Sequence, residues 1–126
     1  MADVQAVTNP LIEASKVQGA AVYNPHGERI GTIDDVMIEK RSGQAAYAIM
    51  SFGGFLGLGG DYRPIPWSKL KYDSQIGGYV VDIELRVLEG APAFASGAAP
   101  RWGDQAYEEN LHTYYGARPY WGEAWM

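Results

Sequence analysis

Few side chains in this sequence have the chemistry for catalysis. Both histidines, His26 and His112, could act as proton acceptors near neutral pH. His26 sits in the turn Asn24-Pro25-His26-Gly27, and His112 lies far away between Leu111 and Thr113. There is no cysteine, and no serine stands in a recognisable nucleophile setting, so no triad assembles. Both histidines read as surface residues, one on a turn and one on a helix. Packing of His112 against Tyr114 or Tyr115 would make a pH switch. Asp34 and Asp35, with Glu39 and Asp61, could offer oxygens to a hard cation. Neighbours on a strand point to opposite faces, so the aspartates converge only at a bulge. They read as solvated charges at a strand bend, or as acceptors for the turn near Gly31. The loop Gly53–Gly60 is rich enough in glycine to suggest a phosphate cradle. It lacks the Lys-Ser/Thr ending of a P-loop and the strand-to-helix setting of a dinucleotide fingerprint. Phe55 and Leu56 suit a barrel lid or a protein contact instead. The expectation is no catalytic residue, no cofactor and no metal, hence no enzyme.

The aromatic residues of the C-terminal part are the better candidates. Trp102, Tyr107, Tyr114, Tyr115, Tyr120, Trp121 and Trp125 crowd a short stretch with Arg101 and Arg118. That is the composition of an interaction hot spot. The same residues could fold back over an open edge of the chain's own sheet. Stacking on single-stranded nucleic acid is opposed by Asp104, Glu108, Glu109 and Glu123, and by a net charge of −5. The expected partner is a protein or a second copy of the chain, in a homo-oligomer, with no nucleic acid. No apolar run approaches the ~20 residues that span a bilayer, so no membrane insertion is expected. The first residues, MADVQAVTNP, carry acid where an export signal carries base, which points to the cytoplasm. Without cysteine there are no disulfides.

The elements that would hold these residues are mainly strands. Residues 1–10 read as a polar lead-in, followed by a helix start near Leu11–Lys16. Val17–Tyr23 forms a first strand, and the Asn-Pro-His-Gly turn feeds Arg29–Lys40. Apolar residues switch face inside that second strand, which a bulge at Asp34-Asp35 explains. After the turn Lys40–Gly43, Gln44–Phe52 is apolar on both faces and reads as central. Tyr62–Pro66 carries two prolines, which place it at an edge or strand end. Trp67 after it reads as a core or rim residue. Ser68–Tyr72 and Tyr79–Ile83 pair across a turn at Asp73–Gly78. Glu84–Glu89 makes a helical turn, Phe94–Pro100 a linker, and Arg101–Gly116 a helix. Its expected buried face holds Trp102, Ala106, Leu111, Tyr114 and Tyr115.

Leu11 to Pro92 resembles the PRC-barrel family, the small β-barrel of the photosynthetic reaction-centre H subunit. The resemblance rests on Gly19–Tyr23, on Gly27-Glu28-Arg29-Ile30-Gly31 with Ile33-Asp34-Asp35-Val36, and on Ser42-Gly43 before Tyr47-Ala48-Ile49. It continues through Phe55-Leu56-Gly57-Leu58-Gly59, Pro64-Ile65-Pro66-Trp67, Leu70, Tyr72-Asp73 and Tyr79-Val80-Val81. The part beyond Pro92 is similar to the aromatic extension of free-standing bacterial members. The resemblance implies an all-β fold: a small, mostly antiparallel barrel with a helical, aromatic C-terminal extension. It divides the chain into a lead-in (1–10), a barrel (11–92) and a linker with tail (93–126). It also implies an interaction module; exposed-looking apolar residues beside an absence of catalytic groups extend this to a non-enzymatic, self-associating assembly module with Phe55, Leu56 and the tail aromatics as contact surface. Fold analogy adds a second reading, an accessory subunit of a membrane or energy-transducing complex, and a third, a ribosome or RNA maturation role.

Overall fold

The computed structural model describes residues 10–52, 61–95 and 97–122. Residues 1–9 of the expected lead-in, the Phe55–Leu56 loop and Trp125 lie outside the described residues. A short helix, α1 (Ala14–Val17), precedes six strands: β1 (Ala21–Tyr23), β2 (Arg29–Ile38), β3 (Ala45–Ser51), β4 (Tyr62–Pro66), β5 (Leu70–Asp73) and β6 (Gly78–Val81). A single 3₁₀ turn, Trp67–Lys69, joins β4 to β5. Two helices follow, α2 (Leu85–Glu89) and α3 (Gln105–Tyr115). The fold is therefore mostly sheet, and the expected all-β class is an overstatement. Val17 ends α1 and does not start a strand; its side chain is buried with the core.

The spatial order is β4-β3-β2-β1-β6-β5. Neighbours are antiparallel except β1 and β6, which run parallel. Consecutive strands β4 and β5 thus lie at opposite ends of the sheet, yet only the three-residue turn separates them. A flat six-stranded sheet would hold its edges roughly 24 Å apart at 4.8 Å per strand step. The short connection is possible because the sheet curls into a half-barrel.

Local chemistry places the turns. Asn24 Oδ1 accepts the backbone N–H groups of His26 and Glu28, both at 2.9 Å, and Gly27 takes φ +86°. In the next hairpin the Glu39 carboxylate accepts the N–H groups of Ser42 (2.8 Å) and Arg41 (3.2 Å). The Ser42 backbone bond, first among these contacts, holds its carboxyl below the usual range. In β2 the register against β3 shifts between Ile33 and Asp35, which is the expected bulge, and again between Met37 and Ile38. Gly31 lies where β2 comes closest to the end of β3. A Cβ there would stand 2.5 Å from the Ser51 carbonyl oxygen.

β3 is buried along most of its length between β2 and β4, as its two apolar faces predict. The core collects Val22, Ile33, Tyr47, Met50, Ile65 and Val81 from the sheet, Leu88 from α2 and Leu111 from α3. Both later helices are tied down by polar contacts as well. Arg63 of β4 is buried, and its Nε donates to the Leu88 carbonyl at 2.7 Å. The guanidinium thus adds a donor at the C-terminal end of α2, where the Leu88 carbonyl also accepts from the Ala91 N–H at 3.2 Å. Tyr114 Oη donates to the Val87 carbonyl at 2.7 Å, joining α3 to α2.

Candidate functional site

α3 begins where Asp104 caps it, accepting from the N–H groups of Ala106 (3.0 Å) and Tyr107 (3.3 Å). It ends at Gly116, whose φ of +62° is the left-handed cap that glycine favours. Between these stops, Glu108, Leu111, His112 and Tyr115 form its buried face. The spacing 108, 111, 112, 115 is helical, so one stripe faces the sheet. Ala106 and Tyr114, expected on that face, are exposed.

Beneath the stripe lies Tyr47, 1% exposed in the centre of β3. Its hydroxyl is 2.9 Å from Glu108 Oε1 and 2.8 Å from His112 Nε2. Tyr120 Oη donates to the same Glu108 Oε1 at 2.8 Å, and the Gly103 N–H donates to Oε2 at 2.7 Å. A buried carboxylate is tolerable only when its oxygens are answered in this way. Aromatic rings enclose the cluster. Trp102 stacks on Tyr47 at 5.4 Å, Tyr120 meets it edge-on at 5.7 Å, and Trp121 lies edge-on to His112 at 5.0 Å.

The protons here are constrained. Tyr47 has one hydroxyl hydrogen and two acceptors within reach. When Tyr47 donates to Glu108, His112 Nε2 must be the donor to Tyr47. Burial, the largest influence, lowers the His112 pKa below its ordinary 6.5. The Ala117 and Arg118 backbone carbonyls and the Glu108 charge pull the other way. Burial also pushes the Tyr47 phenol upward, helped by its bond to Glu108, and raises Tyr115 and Tyr120. These phenols stay neutral under ordinary conditions. The arrangement can hold a proton, and a cleft of about 340 Å³ lined by Glu109, His112, Thr113, Gly116, Ala117 and Pro119 opens beside it.

The expectation for His112 as a surface residue is corrected: it is 4% exposed, and its partners are Tyr47, Tyr120 and Trp121 instead of its neighbours in sequence. His26 is exposed, as read. Of the proposed contact residues, Tyr115 is buried, Trp102, Tyr107 and Tyr120 are half-buried against the chain's own core, and Trp121 is half-buried beside the rings of His112 and Tyr120. Tyr114 is 39% exposed. Phe55, Leu56 and Trp125 lie outside the described residues. The sequence reading missed Tyr47 as a site residue and took Glu108 only as part of the tail's acidic balance. A tyrosine amid the small and aliphatic residues of β3 needed a partner for its hydroxyl. Glu108 and His112, four apart on one helix, were the available signal.

A second feature lies where β2, β3 and the residues around Phe94 meet. Phe94 does not run free as linker; it forms an isolated bridge with Tyr62, with N···O distances of 2.8 and 2.9 Å. Their rings lie 5.7 Å apart. Beside them a cleft of about 330 Å³ opens, lined by Asp34, Asp35, Ile49, Tyr62, Phe94 and Trp102 among others. Asp35 is exposed and accepts the Val36 N–H at 2.9 Å. Asp34 departs from the solvated charge expected: it is half-buried, and its Oδ2 is closed off from water and has no hydrogen-bond partner.

Among the described residues, no group of three or more His, Asp or Glu side chains is placed to hold a metal ion. No described helix is long and apolar enough to cross a membrane. Compared with known families, residues 10–88 match the model of the PRC-barrel domain. The match ends within α2, so α3 and the Glu108–His112 cluster lie beyond it. No curated protein matches the chain.

Proposed function

This chain belongs to the PRC-barrel family, and from that premise we propose that it is a non-enzymatic interaction and assembly module of the cytoplasm that associates with itself. The observation that carries this reading is the state of β5. It pairs with β6 on one side, and no described strand pairs with the other. Along that bare edge Tyr72 is 47% exposed, and Ile76 in the following turn is 40% exposed. An unpaired strand with apolar side chains is a template for a second strand, from a copy or from another protein. The strand is four residues long and bears Lys71, so pairing is weak and depends on concentration. The tail aromatics support the module from within: most are spent on holding α3 against β3 and β4.

Sedimentation over a wide concentration range tests the reading. The wild type moves toward a dimer as concentration rises. Ile76→Asp, with a charge at the bare edge, stays monomeric. A wild type that remains a monomer throughout removes self-association. The interaction role then rests on capture of another protein by the full-length chain, and a tail-only binding site would appear as capture that Ile76→Asp leaves unchanged.

A further inference from the structure

We propose that a second copy of the chain pairs with β5 in one register: Tyr72 opposite Tyr72 on a two-fold axis, with Lys71 opposite Asp73 on either side. The inference rests on the self-association reading and specifies the contact that the reading leaves open. The Gly77 N–H donates to the Asp73 carbonyl at 2.8 Å, so that carbonyl faces the hairpin with β6. Backbone groups alternate sides along a strand. The N–H and C=O of Tyr72 therefore face away from β6, where no described strand meets them. A two-fold dimer makes the β5 pair antiparallel, and outward groups must meet outward groups. The axis then passes through a residue and not between two. At Leu70 it is closed, because the Leu70 N–H already bonds the Trp67 carbonyl. At Lys71 it sets lysine against lysine, and at Asp73 aspartate against aspartate; like charges directly opposite destabilise a sheet. At Tyr72 it sets Lys71 against Asp73 twice.

The side chains agree with the backbone. Lys71 and Asp73 share one face of the strand, and Leu70 and Tyr72 the other. Lys71 is exposed and takes no part in the ion pairs among the described residues, which are Lys16–Glu13, Arg86–Glu84 and Arg101–Asp104. Asp73 Oδ1 accepts from the N–H groups of Gln75 (2.9 Å) and Ile76 (3.4 Å), which leaves Oδ2 for a cation. On the opposite face Tyr72 meets Tyr79 edge-on at 5.3 Å, and Tyr79 meets Trp67 at 5.5 Å. The row ends at the Tyr72 ring, which is 47% exposed. On the axis two such rows meet end to end, and each covers the other's exposed ring. A strand from another protein would need the same charge order to fit as well. A second copy carries it by symmetry.

The chain has no cysteine, so a single introduced one reports on register. With the axis at Tyr72, the two Cα atoms of that residue stand about 5.5 Å apart, within disulfide reach. The two copies of residue 71 are offset along the strands by two residues, about 6.8 Å, on top of the strand spacing, and cannot be bridged. Full-length Tyr72→Cys is therefore expected to give a cross-linked dimer under mild oxidation, and Lys71→Cys to give none. The reverse pattern puts the axis at Lys71 and overturns the register. Sedimentation of uncharged variants adds a second reading. Lys71→Met should weaken association roughly tenfold, as two cross-strand ion pairs are lost. Asp73→Asn should do the same while keeping an oxygen for the turn. If Tyr72→Cys does not fold, these two variants decide: association that tightens or stays unchanged overturns the pairing of Lys71 with Asp73. A wild type that dimerises while folded Tyr72→Cys does not cross-link loses this inference and keeps the proposed function. A wild type that stays a monomer, with no cross-link from either cysteine, loses both.

Discussion

The sheet has two edges, and the chain treats them in opposite ways. At β4 the edge is built from Pro64 and Pro66, bridged by Phe94 at Tyr62, and packed against α3. At β5 no described strand pairs with the outer side, and Tyr72 and Ile76 face solvent. Covering an edge costs ordered residues, and here it takes most of the C-terminal third of the chain. The contrast teaches that, on the proposed reading, the aromatic tail and the contact surface are different things. Aromatic rings that resemble a hot spot in sequence serve the guarded edge, while the unguarded one is marked by two ordinary apolar residues.

Substitutions can break or sharpen this contrast, and the largest effects belong to the guarded side. Leu111→Ala removes a fully buried side chain from α3 and should cost about 2–5 kcal/mol. Urea denaturation measures it, and a loss under 1 kcal/mol would mean that α3 is dispensable. Glu108→Gln keeps the shape but loses an acceptor for three donors. It should cost about 1–3 kcal/mol, read in the same way, with α3 amides exchanging faster.

The pH response is next in size. The folded pKa of His112 is lowered, so above about pH 6.5 both states are neutral and the full stability is present. As pH falls through that value the unfolded chain takes up the proton first, and stability is lost until the folded pKa is reached. His112→Gln should flatten this part of the curve relative to the wild type. Above about pH 10 the raised phenols of Tyr47, Tyr115 and Tyr120 act in the opposite sense. There the unfolded chain ionises first, and stability falls as pH rises. The smallest change in stability is expected at the bare edge. Ile76→Asp should move the melting transition by no more than about 0.5 kcal/mol, although it abolishes dimerisation. A large loss of stability there would show that β5 is covered after all.

Much of the fold was legible because its signals are local. The Asn24–Gly27 turn, the bulge in β2, the doubly apolar β3 and the proline-bearing edge strand each follow from a few adjacent residues. Val17 misled because a single apolar residue fits a helix end as well as a strand start. The buried face of α3 was only half legible. Leu111 and Tyr115 follow the apolar pattern, but Glu108 and His112 are buried by virtue of a tyrosine about sixty positions earlier. No helical pattern records such a partner. For the same reason the charge of Asp34 looked like an ordinary solvated carboxylate, since nothing adjacent in sequence signals that its Oδ2 is buried.

The bond between Tyr47 and Glu108 spans 61 residues, and that between Tyr47 and His112 spans 65. During synthesis the chain leaves the ribosome from its N-terminus, at about 5–20 residues per second. Every strand of the sheet is therefore available for about 1–5 s before α3 follows. In that interval the face around Tyr47 stands uncovered, with an apolar berth where Leu111 will lie. The nascent sheet is sticky on the side that the finished protein hides best. Chaperone binding should therefore concentrate on chains stalled between Val81 and Asp104, and should fall away once Tyr120 has emerged.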